Sequence, residues 1–150
     1  MKLEYIEATK DDFEFFVHLH HSAYREIIEK MFGWDESLQD QFAKKAFDEG
    51  GMHFILYQSK KVGCVGWEER EDHLWLKEVF ILPEFQGQGM GSQVIRDTKE
   101  KAKNKDIRLQ TLKENLGAKR LYEHHGFEVW DSNKTHWQMV LKTKNSQKTK

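Results

Sequence analysis

Cysteine is nearly absent from this 150-residue chain. Cys64 stands alone, so no internal disulfide can hold the fold together. Proline occurs once, at Pro83. No stretch approaches the roughly 18 apolar residues of a spanning helix. The opening Met1-Lys2-Leu3-Glu4-Tyr5 has no apolar leader region either, so a cytoplasmic protein with no membrane partner is expected. Neither sign of charge dominates: 24 Lys and Arg face 25 Asp and Glu, a formal net charge of −1. That balance argues against a nucleic-acid binder, which needs an excess of cations over phosphate. Internal repeats and linker-like segments are missing as well.

What remains is material for one globular core. Apolar residues make up 38%, with ten Phe, five Trp and four Tyr. The expected organisation is a single α/β domain over residues 1–141, followed by a mobile basic tail over 142–150 that carries no large apolar residue.

Leu3 to Ala8 reads as an opening strand. Thr9 with Asp12 fits a capping box, and Phe13, Phe16, Val17, His20 and Tyr24 recur at helical spacing until Gly33. Asp35 is placed to cap a second helix carrying Leu38, Phe42, Ala46 and Phe47, ended by Gly50-Gly51. The period then changes. His53 to Gln58 and Val62 to Glu69 read as a hairpin turning at Ser59-Lys60-Lys61, and Leu74 to Leu82 as a third strand stopped by Pro83. Val94, Ile95, Thr98 and Ala102 mark an amphipathic helix. Ile107 to Leu112 is a strand and Leu116 to His124 a short helix ended by Gly126. Phe127 to Trp130 and Trp137 to Leu141 close the chain as an antiparallel pair.

Between the proline-ended strand and the amphipathic helix lies Gln86-Gly87-Gln88-Gly89-Met90-Gly91. A glycine loop entering a helix leaves several backbone N–H groups unpaired, and the positive end of the helix dipole adds to them. Without Cβ atoms, a diphosphate can come close. The alternative is a tight turn with no ligand. A dinucleotide fingerprint and a P-loop both fit poorly, because these glycines alternate and Gly91 is followed by Ser92-Gln93 rather than Lys.

The segment Glu78-Val79-Phe80-Ile81-Leu82-Pro83-Glu84-Phe85-Gln86-Gly87-Gln88-Gly89-Met90-Gly91 closely resembles the coenzyme-binding segment of the GCN5-related N-acetyltransferase (GNAT) superfamily. Asn115-Leu116-Gly117-Ala118-Lys119-Arg120-Leu121-Tyr122-Glu123-His124-His125-Gly126-Phe127 is similar to that family's second signature. The resemblance implies a mixed, mostly antiparallel sheet with splayed central strands, flanked by helices. Its implied co-substrate is acetyl-CoA. The pantetheine arm would run along the backbone of Val79, Phe80 and Ile81, with the diphosphate held by Gln86, Gly87, Gln88, Gly89, Met90, Gly91 and Ser92. Asn115, Ala118 and Tyr122 would contact the coenzyme from the second signature.

The chemistry implied is acetyl transfer to a primary amine by direct attack in a ternary complex. A lysine-like amine with pKa ~10.4 is about a thousandth neutral near pH 7.4, a handicap of ~4 kcal/mol that a general base can relieve in part. Glu78 is the first candidate, sharing a strand face with Leu74, Leu76 and Phe80 by alternation. Substrate binding or a structural salt bridge are its alternatives, and Glu68 and Glu69 are the reserves. Tyr122 matches the family's general-acid tyrosine and would donate a hydrogen bond to the leaving sulfur; the alternative is an aromatic core anchor.

For the acceptor, the resemblance points to the first two helices, their connection and the sheet edge, with Tyr24 and Trp34 as contacts; charge alone adds Glu68 and Glu78. The acidic run Glu68-Glu69-Arg70-Glu71-Asp72 favours a cationic amine, unless it is only a solvated hairpin tip. His18, His20 and His21 read as helix-surface residues with no acidic partner in view, so no metal site is expected. A homodimer is left open. The second functional reading is an acyl-CoA-binding sensor with little catalysis.

Overall fold

In this computed structural model, residues 1–143 are described; residues 144–150, most of the expected basic tail, lie outside the described residues. Hydrogen-bonded strands follow the order β1-β2-β3-β4-β5-β7-β6 in a seven-stranded sheet among the described residues. The strands are β1 (Glu4–Glu7), β2 (Met52–Tyr57), β3 (Lys60–Glu69), β4 (His73–Ile81), β5 (Asp106–Leu112), β6 (Glu128–Ser132) and β7 (His136–Leu141). Four helices flank it: α1 (Phe13–Phe32), α2 (Glu36–Asp48), α3 (Met90–Ala102) and α4 (Leu116–His124). The pairings β1–β2, β2–β3, β5–β7 and β6–β7 are antiparallel, and β4–β5 is parallel. The expected mixed, mostly antiparallel class is what forms.

The chain divides into two compact units, and β3 and β4 contribute residues to both. One comprises Met1–Gly66 with Glu78–Gly91, the other Trp67–Lys77 with the chain from Ser92 onward.

In the first unit, α1 begins one turn later than its capping box. Thr9 N–H donates to Asp12 Oδ2 at 2.8 Å, and a 3-10 turn at Lys10–Asp12 leads into the helix. Asp35 caps α2 as expected, its carboxylate accepting from Leu38 N–H at 3.0 Å. The apolar stripes of both helices meet β2, β3 and β4 in one cluster of Phe16, Leu19, Ala43, Met52, Phe54, Cys64, Phe80 and Leu82. Burying a side chain such as Phe16 is worth about 2–3 kcal/mol. The hairpin between β2 and β3 turns at Gln58-Ser59 rather than Ser59-Lys60-Lys61. Both turn residues have positive φ, 51° and 66°, as the tight two-residue hairpin requires.

Gly63 on β3 is the closest point of the first unit. A Cβ there would enter the Phe80 carbonyl oxygen on β4 and lie 3.1 Å from Ile81 Cα. Just beyond, Leu82 N–H donates to Val62 O at 2.8 Å.

In the second unit, Leu74, Leu76, Val94, Ile95, Ile107, Leu109, Tyr122, Phe127 and Met139 are buried. Thr98, fully buried on α3, donates to Val94 O at 2.7 Å and accepts from Trp67 Nε1 at 3.0 Å, which satisfies a polar group a core would otherwise penalise. The parallel ladder joins His73 to Asp106, Leu74 to Ile107 and Trp75 to Arg108, then ends although both strands run on. β6 continues to Ser132, and the turn to β7 is built on Asn133, whose Oδ1 accepts from Thr135 and His136 backbone N–H groups. Every residue of β6 is exposed, and its register with β7 shifts between Val129 and Asp131.

No described helix is long and apolar enough to cross a membrane.

Candidate active site

In the first unit, Glu78 faces a histidine that is itself packed among aromatic rings. Glu78 Oε1 lies 3.6 Å from Nε2 of His20 on α1. The His20 ring stands edge-on to Phe80, 6.1 Å between centroids, and to Tyr24 at 4.9 Å. Glu78 and Phe80 therefore both approach His20, as strand alternation predicts. Tyr24 packs on Phe80 at 5.5 Å, and its hydroxyl donates to Val79 O at 3.4 Å. The Val79 carbonyl, expected to meet the coenzyme arm, thus accepts from Tyr24, expected on the acceptor side.

His20 corrects the surface assignment made for the three histidines. It is only 7% exposed. The signal was present, since His20 falls on the Phe16–Tyr24 stripe. Loss of hydration on burial, helped by the positive charge of His21, pushes its pKa down to about 4, and the Glu78 carboxylate does not reverse this. The unfolded chain therefore binds the extra proton first. His20 contributes full stability above pH 6.5 and loses it as pH falls toward 4, by on the order of 3 kcal/mol. Denaturant titrations at pH 7 and pH ~4.5 should show this loss in the wild type and a smaller loss in His20→Phe.

The expectation that no acidic partner faces these histidines also fails. Helix α2 brings Asp40 Oδ1 to 2.7 Å and Glu36 Oε1 to 4.0 Å from His21 Nε2. Periodicity within α1 could not reveal partners from another helix. Trp34 completes this corner, edge-on to His21 at 4.9 Å and capped by the Arg25 guanidinium at 4.9 Å.

After β4, Pro83 opens a 3-10 turn at Pro83–Phe85, and Gln86 Nε2 donates back to Ile81 O at 2.8 Å. The loop proper is short, Gln86 to Gly89. Gly87 and Gly89 take φ of 78° and 85°, and a Cβ at either would meet nothing within 4 Å. Glycine is required here by conformation, with open space beside it. Met90, expected in the loop, is the first residue of α3 and is buried; Gly91 and Ser92 follow in the first turn. No acidic residue lies in that turn to offset the positive helix end.

In the second unit, Ser92 Oγ is 3.1 Å from His125 Nε2. Burial first, then the positive charges of Lys99, His124 and Arg96, lowers the His125 pKa. His125, the partner of Ser92, therefore sits among cationic side chains. Asn115 caps α4, its Oδ1 accepting from Ala118 N–H at 3.1 Å, which leaves its amide nitrogen as the atom for any ligand contact. Tyr122 is 7% exposed, its ring 5.7 Å from Phe127, and its carbonyl accepts from the His125 and Phe127 N–H groups. The Gly126-Phe127 end of the signature thus locks the turn on which Tyr122 sits. Glu68, expected as a substrate contact, is half-buried and pairs with Arg70 at 3.4 Å. Cys64 is buried, and its thiol is pushed far above its ordinary value by burial and by the Glu78 carboxylate, so it is no nucleophile.

An uncharacterised N-acetyltransferase of Methanocaldococcus jannaschii is 31% identical over 134 residues, covering 81% of this chain and 58% of its own length. Mouse thialysine N-epsilon-acetyltransferase is 29% identical over 79 residues, covering 51% of this chain and 41% of its own. The chain thus spans about half the length of these two curated relatives. Among solved structures, a PaiA N-acetyltransferase from Thermoplasma acidophilum, in complex with coenzyme A, superposes with a TM-score of 0.76 at 14% identity over 95% of this chain and 99% of that one, a likeness of fold. Residues 49–129, more than half of the chain and inclusive of the glycine loop and Tyr122, match the acetyltransferase (GNAT) domain, and the chain belongs to that family.

Proposed function

We propose that this protein is an acetyl-CoA-dependent N-acetyltransferase acting on a primary amine, with residues 1–141 working as one domain. The observation that carries the reading is the loop: β4 ends at Pro83, Gly87 and Gly89 adopt positive φ beside open space, and α3 begins without a carboxylate in its first turn. Such a loop suits a diphosphate. The cationic side chains near His125, the partner of Ser92, are compatible with the same ligand.

The roles follow residue by residue. The backbone of Val79, Phe80 and Ile81 binds the pantetheine arm as an added strand. Gln86 to Ser92 hold the diphosphate, with Asn115 and Ala118 as further contacts. Glu78 takes the proton from the attacking amine, directly or through water, and the amine then adds to the thioester carbonyl. Tyr122 donates a hydrogen bond to sulfur as the C–S bond breaks, lowering the cost of thiolate charge, and the second proton leaving the acylated nitrogen goes to the thiolate, giving amide and free thiol. Bound acetyl-CoA supplies the activated acyl group.

A cationic acceptor is supported by the Glu78 carboxylate and by the lysine-like substrate in the name of the mouse relative; Glu68, paired with Arg70, would have to exchange that partner for the substrate. Tyr24 and Trp34 would then line the acceptor side. Arg25 already covers the Trp34 face, so the acceptor ammonium meets Glu78 rather than that ring.

Thiol release from acetyl-CoA, measured with thialysine, lysine, diamines and polyamines, tests the proposal. Turnover is expected with cationic amines. Tyr122→Phe should lower kcat about 10- to 100-fold while the KM for acetyl-CoA stays within a factor of about two, as for a donor used only in the transition state. Coenzyme binding without turnover on any amine would instead favour an acyl-CoA sensor.

A further inference from the structure

Glu78, once it has accepted a proton, must lose it again, and the first unit contains a line of groups behind it. His20 Nε2 is 3.6 Å from Glu78 Oε1, His20 Nδ1 is 3.2 Å from His21 Nδ1, and His21 Nε2 is 2.7 Å from Asp40 Oδ1. Hydrogen-bond chemistry orders the protons along this line. The short link to the Asp40 carboxylate requires N–H at His21 Nε2. A neutral His21 then offers a lone pair at Nδ1, which calls for N–H at His20 Nδ1. A neutral His20 is left with a bare Nε2 turned toward Glu78.

We propose that His20, His21 and Asp40 are positioning residues that draw the amine's proton off Glu78 and hold it on His21 while the acetyl group transfers. The inference rests on the acetyltransferase reading and on Glu78 as its base. The proton passes from Glu78 Oε to His20 Nε2, and the His20 Nδ1 proton passes to His21 Nδ1. Glu78 is again a carboxylate, His20 is neutral, and His21 is a cation beside Asp40. Only O–H and N–H bonds change, and one proton has moved. When the products leave, both hops reverse, Glu78 gives the proton to water, and the original tautomers return. The 3.6 Å gap closes by rotation of the glutamate carboxylate, a broad torsion.

The surroundings favour this path. Burial keeps His20 neutral between turnovers. His21 is less buried and has two carboxylates, Asp40 and Glu36, to hold its charge, with the Trp34 edge against the ring. On β3 the Cys64 thiol, which feels the Glu78 carboxylate, stays protonated, and Tyr24 and Phe80 against the His20 ring are uncharged.

Two measurements test the line. Nitrogen-15 NMR of the histidine rings in the free protein should show His20 protonated at Nδ1 and bare at Nε2, with His21 protonated at Nε2. His20 carrying its proton at Nε2 would overturn the proposal. In amine acetylation assays, His21→Gln and the surface variant Asp40→Asn should each lower kcat about tenfold, part of the ~10²–10⁴ typical of general acid–base catalysis. The KM for acetyl-CoA should hold, and the acid limb of the kcat profile should move. Wild-type kcat and pH profile in both variants would also overturn it. If the wild type acetylates no amine, the functional reading fails, and the NMR tautomers still decide whether the proton line exists.

Discussion

Glu78→Gln is expected to lower kcat/KM for a lysine-like acceptor by about 10²-fold at pH 7, the low end of what a positioned base contributes. The substitution keeps the side chain's length and removes only its ability to take a proton. At this pH nearly all of the amine is protonated, so the base carries much of the handicap of ~4 kcal/mol. The deficit should shrink as pH rises toward ~10, because the amine then supplies its own neutral form. A pH series on wild type and variant therefore separates two roles for the same carboxylate. A kcat loss that fades with pH marks a base. A raised KM for cationic amines at unchanged kcat marks a substrate anchor, and equal kinetics in both proteins would remove Glu78 from the mechanism.

The second large effect is structural and concerns the strand that carries Glu78. Gly63→Ala should destabilise the protein by about 3 kcal/mol, at the upper end of ordinary overpacking. The new methyl group would enter the Phe80 carbonyl oxygen, and the backbone around Phe80 and Ile81 has to retreat. Backbone cannot rotate aside as a flexible side chain does. The melting temperature should drop by roughly 10 °C for a chain of this size. Coenzyme affinity should weaken with it, since the displaced residues are the proposed pantetheine ladder. A melting temperature within about 2 °C of wild type would mean that β3 and β4 yield at this point more easily than their packing suggests.

The fold was readable where local chemistry decides it. Asp35 announced α2, Gly33 ended α1, and Pro83 closed β4, because caps and breakers act within a turn of themselves. The glycine turn and the Asn115 cap were readable for a similar reason, since both serve backbone geometry within a turn of themselves. His20 lies on the apolar stripe of its own helix, and that spacing, not the usual surface preference of histidine, decides its burial. The pairing of His21 with Asp40 and Glu36 could not be read at all. It exists only because α1 and α2 pack together, bringing residues nineteen positions apart to a hydrogen bond. Gly63 was equally silent, for nothing in Val62-Gly63-Cys64 reveals which carbonyl will cross above it.

The two outermost strands bear on how these molecules behave in crowded solution. β1 is four residues long with Glu4 and Glu7 exposed, and β6 carries a register shift beside the exposed Trp130, over which the Arg108 guanidinium sits at 5.4 Å. A short acidic border at one margin and an irregular, cation-covered border at the other both make poor templates for a neighbouring chain. Growth of a continuous intermolecular sheet, the usual first step toward fibrils, is therefore discouraged at both margins.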